Sequence, residues 1–483
     1  MENYTETNPL YADALERWQL VEDCVKGSQA VKKRKQDYLP KPNDDLDQGQ
    51  TSESQAEYDS NNARYSQYLL RAMFYNTCYR TESGLVGSVF RKMPMAELPS
   101  DVDYLIDNAD GSGLTLTQQA QYVVSEVLKK GRVALLADMP VTDGDVSRAQ
   151  MQAGVSPNII AYDAKSVVDW NECATPTGCK LDYVKIEEFY QDLDIDTGDR
   201  TEVKRWRVLR LRDGVYTSQI TYQDGAGKAD EEEIVPRPKG GTHFDFIPFI
   251  FCGSRNNSSD IDPAPLYDLA EVNIGHYRNS ADNEEASFIC GQPTLAMTSD
   301  MSSDEFATAN PNGVVIGSRR GHFLGAGGNM FLVQAESTGL PRQLMLDKQD
   351  QMLSLGAQLV TPNTQQTATA TNADTANTTS VLGLAVGNVS AAYQKVIGWA
   401  AMFLSSDEQE VKYKLNQDFF PDTFDAQEVT AWMAGVQGGL IPRSAFNNKM
   451  REAGVTQLDD DEIQAEVELL SDNLDLSEPV TDA

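Results

Sequence analysis

Arg278-Asn-Ser-Ala-Asp-Asn-Glu-Glu-Ala-Ser287 is the stretch that decides how this chain is read. It lies early in the run Asp262 to Leu404, which reads as helix, short β insert, helix, uncharged polar loop and helix. The ten residues carry no large apolar side chain, yet at 1.5 Å per residue they fill roughly 15 Å of helix. A surface helix normally carries an apolar stripe. A helix without one either stands in water or packs against copies of itself, and that pattern suits a tube of several subunits better than the interior of a monomeric enzyme.

The loop in this run is equally unusual. Between 361 and 380, eight of twenty residues are Thr, and Asp374 is the only charge. Such composition buries too little apolar area to order itself. The next helix, from Val381 to Leu404, has Lys395 as its single charge. Asn388, Ser390 and Gln394 interrupt it, and Leu382, Val386, Val389, Tyr393, Val396, Ala400 and Phe403 recur at steps of four and three. That spacing describes one face of a packed helix, so no membrane span is expected.

The chain has 483 residues, enough for two to four domains, and a formal net charge of −33 from 73 acidic and 40 basic residues. That balance excludes gripping nucleic acid by wrapping it in positive charge, but not surrounding it. The six cysteines are scattered without a CxxC pair, and His243, His276 and His322 offer no ligand spacing with them, so reduced thiols and no metal are expected. The opening Met-Glu-Asn-Tyr-Thr-Glu has neither a basic n-region nor an apolar h-region, so no signal peptide is expected.

Residues 10–36 read as helix ending in Lys32-Lys-Arg-Lys35, a solvated helix end more than a nucleic-acid patch. Residues 43–60 read as an acidic linker, and 61–92 as one or two helices with Gly84 and Gly87 as candidate breaks. Thr115 and Gln118 form a capping box, Leu116 to Leu128 supply an apolar stripe, and Gly131 stands where a C′ glycine belongs. Strands are expected at 132–137, 159–163, 166–170, 182–190, 203–211, 215–222 and 247–252. The turn 192–199 misses the glycine and glutamate positions of a calcium loop, so it reads as a hairpin connection. Short strands are expected at 293–297, 313–317 and 330–334, then a helix over 339–360 with Leu344, Met345, Met352, Leu355 and Leu359 as apolar positions. From 425 the pattern is helical, and residues 459–483 hold ten acidic and no basic residues, which argues against direct DNA binding there.

No Walker A, GxSxG, HExxH or βαβ-placed GxGxxG occurs, and no histidine lies near a Ser or Cys nucleophile, so no cofactor, metal or enzymatic activity is expected. Two competing readings are a metal-dependent hydrolase or nuclease using clustered carboxylates and a membrane-anchored assembly protein built on 381–404.

Several stretches together resemble the portal proteins of tailed bacteriophages, the head–tail connectors, and within them a family long catalogued only as a domain of unknown function. They are Trp18 with Val21-Glu-Asp-Cys-Val-Lys-Gly27 and Tyr38-Leu-Pro40; Tyr75 to Pro94; Pro265 to Asp282; and Met352 to Leu359. The family's Glu-Thr-Ala motif after the polar loop is replaced here by Asn372-Ala-Asp-Thr-Ala-Asn377. The resemblance implies an α+β fold: an N-terminal helix and acidic linker (1–60), an α/β wing (61–260), stem helices (261–290 and 338–360), a clip (291–337), a tunnel loop (361–377), a long helix returning to the wing (378–424), and a helical crown with an acidic tail (425–483). It implies a ring of about twelve subunits at a capsid vertex, through which dsDNA passes without sequence specificity. Its partners would be the major capsid protein, a head-completion, adaptor or tail protein and the terminase motor. Asp268, Glu271, Asp282, Glu285 and Lys348 would line the channel. Thr361, Asn363, Thr364, Gln365, Gln366, Thr367, Thr369, Thr371 and Asn372 would face DNA. Arg319, Arg320 and His322 would meet an adaptor.

Overall fold

A computed structural model describes residues 6–42, 55–140, 156–175, 178–193, 195–224, 227–230, 232–292, 294–311, 323–334, 339–359, 380–405, 410–419, 426–452 and 458–466. The chain mixes helix and sheet, and it divides into two compact units, Met1–Gln417 and Asp418–Ala483.

The first unit is built on a small antiparallel sheet. Strand β2 (Arg132–Asp138) lies between β3 (Asn158–Asp163) and β9 (Phe249–Gly253). All five residues of β9 are buried, and β2 is buried from Arg132 to Ala137, because helices cover the sheet. One of these is α5 (Leu116–Lys130), started by the expected reciprocal box between Thr115 and Gln118 and ended by Gly131 in the left-handed conformation. Thr115→Ala should lower stability by about 1 kcal/mol in a chemical-denaturation curve, the usual worth of an N-cap. The other is α9 (Val381–Met402), which buries Leu382, Val386, Val389, Tyr393, Val396 and Ala400, the predicted face. Ser380 caps it by accepting a hydrogen bond from the Gly383 N–H at 3.0 Å. The Tyr393 hydroxyl donates to Gln119 (3.2 Å), which in turn donates to the Ile159 carbonyl (2.7 Å), tying α9, α5 and β3 together. No helix among the described residues is long and apolar enough to cross a membrane.

Strands β4 (Val167–Thr175), β5 (Gly178–Leu193), β6 (Arg200–Arg212), β7 (Val215–Asp224) and β8 (Gly227–Asp230) form a five-stranded antiparallel meander in sequence order. Leu193 pairs with Arg200, so the acidic turn is a hairpin connection, as its spacing predicts. A short pair, β1 (Met95–Glu97) with β12 (Lys412–Lys414), and a ribbon, β10 (Thr294–Thr298) with β11 (Asn329–Val333), complete the strands.

At the N-terminus, α1 (Pro9–Lys26) is capped by Asn8 and buries Tyr11, Ala14, Trp18, Val21 and Cys24. The basic cluster follows in α2 (Ser28–Lys33). Lys32 donates to the Leu70 carbonyl at 3.0 Å and Arg34 pairs with Asp23 at 2.7 Å, so half of its charge serves packing.

Three expectations are corrected. Residues 55–60, read as linker, belong to α3 (Gln55–Arg71); Gln, Ala and Glu are good helix formers whatever their charge. Gly84 and Gly87 do not break α4 (Thr77–Val89); the break between α3 and α4 falls instead at residues 72–76. An unforeseen helix, α7 (Ser303–Ala309), begins with a capping box between Ser302 and Glu305, a signal present in the sequence. The expected strand 313–317 lies outside the described residues.

In the second unit, α10 (Ala426–Gln437) ends at Gly438 and Gly439, and α11 (Arg443–Glu452) follows. Residues 460–466 are helical, opened by reciprocal bonds between Asp459 and Glu462. Arg451 pairs with Asp460 at 2.9 Å.

Candidate functional site

The run that opened the sequence reading folds as a helical hairpin. Helix α6 (Tyr267–Gly291) leads to the ribbon β10–β11, and α8 (Leu340–Gln358) returns along α6. The two helices are antiparallel: Gly275 faces Lys348, His276 meets Gln349, and Gln334 just before α8 donates to the Cys290 carbonyl at 3.2 Å.

Helix α6 buries Leu269, Ala270, Asn273, Ile274, His276, Tyr277, Ser280 and Ala281, a stripe at steps of three and four that meets α1, α3 and α4. Asn273 is fully buried, donating to the Tyr75 carbonyl at 2.8 Å and accepting from the Cys78 thiol at 3.4 Å. The reading of 278–287 as a helix that stands in water or meets only other copies is corrected here. Ser280 and Ala281 are small enough for α3 to come close, and the Met73 N–H donates to the Ser280 hydroxyl at 3.0 Å. Tyr68 donates to Asp282 at 2.6 Å, and Arg64 lies 3.6 Å from Glu285, which Arg71 also grips. The Arg71 guanidinium covers the Phe288 ring at 4.2 Å. Burial, reinforced by the bond to Asp282, pushes the Tyr68 phenol well up.

The expected channel-lining residues therefore separate. Asp282 and Glu285 are engaged by α3 and offer no bare charge, because their partners lie on an element about 200 positions away in sequence. Asp268 lines a cavity beside α1. Glu271 is exposed, and among the described residues it accepts only from the Tyr267 hydroxyl at 2.8 Å. Lys348 is half-buried in the α6–α8 contact. The loop residues Thr361, Asn363, Thr364, Gln365, Gln366, Thr367, Thr369, Thr371 and Asn372, and Arg319, Arg320 and His322, lie outside the described residues. Among the described residues no three His, Cys, Asp or Glu side chains gather as a metal site requires.

His276 is the group the sequence did not single out. It is 2% exposed; Nε2 lies 3.3 Å from the Gln349 amide nitrogen, and Nδ1 has no hydrogen-bond partner among the described residues. Burial, with Lys348 nearby, holds its imidazole below the ordinary pKa. A depressed folded pKa means the unfolded chain binds the proton first, so stability is full above about pH 6.5 and is lost as pH falls toward the folded value. The thermal midpoint should drop between pH 7 and 5.5, and His276→Gln should flatten that part of the drop; an unchanged slope would contradict the assignment.

The ribbon at the far end of the hairpin is exposed to an unusual degree. In β11, Met330, Phe331, Leu332 and Val333 are 37%, 47%, 58% and 53% exposed. Register puts Leu332 opposite Leu295 and Phe331 opposite Ala296, so exposed apolar side chains stand on both faces. Nearby, Phe288, Ile289 and Leu340 are also exposed.

Residues 265–404 match a family described as a domain of unknown function, DUF4055. The match spans the hairpin, its ribbon and α9. Among solved structures, the chain is similar to one from the neck of an empty gene transfer agent (GTA) particle computed with C6 symmetry, at 14% identity and a TM-score of 0.42, covering 79% of this chain and 90% of that one. It is also similar to one from the virion of a native gene transfer agent particle, at 13% identity and a TM-score of 0.41, covering 80% and 92%. No curated protein matches.

Proposed function

We propose that this protein is a structural subunit of the head–tail junction of a phage-like virion, and within that a portal: a non-enzymatic homo-oligomeric ring through which dsDNA passes during packaging and ejection. The observation that carries the reading is the α6–β10–β11–α8 hairpin, whose ribbon presents apolar side chains on both faces. Two strands alone are marginal in water, and contiguous exposed apolar surface marks an interaction site. A side chain exposed on each face fits a ribbon set between two neighbours, as in a ring. The family match covers this hairpin, and the sequence resemblance to portals rests in part on Pro265 to Asp282 and Met352 to Leu359 within it.

Its partners would be the major capsid protein, a head-completion, adaptor or tail protein, the terminase motor and the DNA in transit. A net charge of −33 suits a conduit that must not hold phosphate. Electron microscopy of the purified protein tests the reading: rings with a central hole, near twelve subunits, are expected. A monodisperse monomer at micromolar concentration would sink it. Of the α6 carboxylates assigned to the bore, Asp268, Glu271 and Asp282 are exposed; Asp268 lines the cavity beside α1 and Asp282 is held by Tyr68. Glu271→Lys should therefore slow DNA entry or release severalfold in a packaging assay. Unchanged translocation would remove the acidic wall from the mechanism.

A further inference from the structure

Helix α8 leaves most of its surface unused. Among its nineteen residues only Met352 is buried. Leu346 and Leu353 are 52% and 69% exposed, and with Asp350 and Ala357 they recur at steps of four, three and four, one continuous stripe. Asp347 flanks it, and neither Asp347 nor Asp350 makes an ion pair or side-chain hydrogen bond among the described residues.

On another side of the first unit lies a cavity of about 470 Å³, walled by Arg17 of α1, Arg255 after β9, Asp268 of α6, Leu355 of α8, and Val381 and Leu384 of α9. Val381 and Leu384 are 39% and 46% exposed. The guanidinium groups of Arg17 and Arg255 have no hydrogen bond or ion pair among the described residues, although the chain carries 73 carboxylates. Asp262, also on the wall, is already consumed by the backbone N–H groups of Arg255 and Asn256 at 2.6 and 3.1 Å. Two free cations thus face one free carboxylate, Asp268, above an apolar floor.

We propose that this cavity seats the outward stripe of α8 from a second copy of the chain, with Leu346 and Leu353 against Val381 and Leu384, and Asp347 and Asp350 against Arg17 and Arg255. Asp347 and Asp350 match Arg17 and Arg255 in sign, bringing two carboxylates to a wall on which Asp268 leaves an excess of one positive charge, and apolar area exposed on both sides is covered. At 3.6 residues per turn, Leu355 in the cavity wall lies half a turn around α8 from Leu346. The two surfaces are therefore distinct faces of one subunit, and a contact between distinct faces is heterologous, the type that builds a ring when its rotation closes and a filament when it does not. The contact rests on the ring reading above and specifies how neighbours engage.

The test uses the full chain and mass photometry, with circular dichroism melts as the folding control. Arg17→Asp with Arg255→Asp should cut the assembled fraction at least tenfold at unchanged melting temperature. Asp347→Arg with Asp350→Arg should do the same, and all four substitutions together should restore assembly. A second variant, Leu353→Cys with Leu384→Cys, should give a covalent ladder on mild oxidation that neither single variant gives. A wild-type ring indifferent to both reversals, reversals that do not rescue each other, or no ladder would each overturn the contact and leave the ring reading standing. A wild-type monomer at every concentration would overturn both.

Discussion

Gly131→Ala should remove a large part of the folding stability of the first unit. Gly131 ends α5 with φ +73°, and its N–H donates to the Val127 carbonyl at 2.8 Å. Its own carbonyl accepts from Ser254, just after β9, at 3.0 Å. A Cβ at this position would lie 2.3 Å from the Asp262 carbonyl oxygen and 2.7 Å from that of Pro263. Both are backbone atoms, so no rotamer change relieves the overlap. The left-handed conformation costs an L-residue roughly 1–2 kcal/mol and forced repacking about 1–3 more, together about 2–5 kcal/mol. The displaced segment, 262–266, is the one that aims α6, so assembly should fail with stability. Gly84→Ala and Gly87→Ala are the controls: both lie within α4 with nothing within 4 Å of the point an added methyl would occupy, and each should be neutral or stabilising by up to about 1 kcal/mol. Thermal melts decide it; a Gly131→Ala variant melting within a degree of wild type would contradict the geometry.

That contrast shows what is legible in a sequence. The box at Thr115 and Gln118, the C′ glycine and the stripe of α9 are local patterns, and each stands where its spacing places it. Four of the meander's five strands are legible for the same reason, whereas β8 is not, because Gly-Lys-Ala-Asp carries no apolar alternation. The pairing of β2 with β9 across more than a hundred residues is not, because a run of buried residues does not name its partner. Segment 278–287 failed in a more instructive way. Small and polar residues there looked like the lack of a packing face, whereas Ser280 and Ala281 form one that admits another helix closely. Asp282 and Glu285 looked like free charge because Tyr68, Arg64 and Arg71 stand far away in the chain. His276 passed unnoticed since its significance lies in Lys348 and Gln349 on the opposite helix.

Phe331→Thr with Leu332→Thr should dissolve the assembly while leaving the subunit folded. Thr suits a strand, so the ribbon's backbone pairing with β10 survives. Phe331 and Leu332 point to opposite faces, so the pair strikes both proposed neighbour contacts at once. Fully burying such a side chain is worth about 1.5–3 kcal/mol. With 47% and 58% of these two still exposed in the single chain, about half of that remains to be gained on assembly. Two residues then contribute about 1.5–3 kcal/mol, roughly 10- to 150-fold in association. The half already covered is lost as well, a similar amount, but that cost falls on a two-stranded ribbon and leaves the buried core of the first unit untouched. A melting temperature within about 3 °C of wild type, with rings replaced by monomers in sedimentation velocity, is the expected pair of results; in a unit spanning Met1–Gln417 each kcal/mol lost moves the midpoint by only about 1 °C. Intact rings would show that the ribbon's apolar faces meet something other than neighbouring subunits. A collapsed melt would show instead that they belong to the subunit's own core, and the argument from exposure to assembly would fail at its first step.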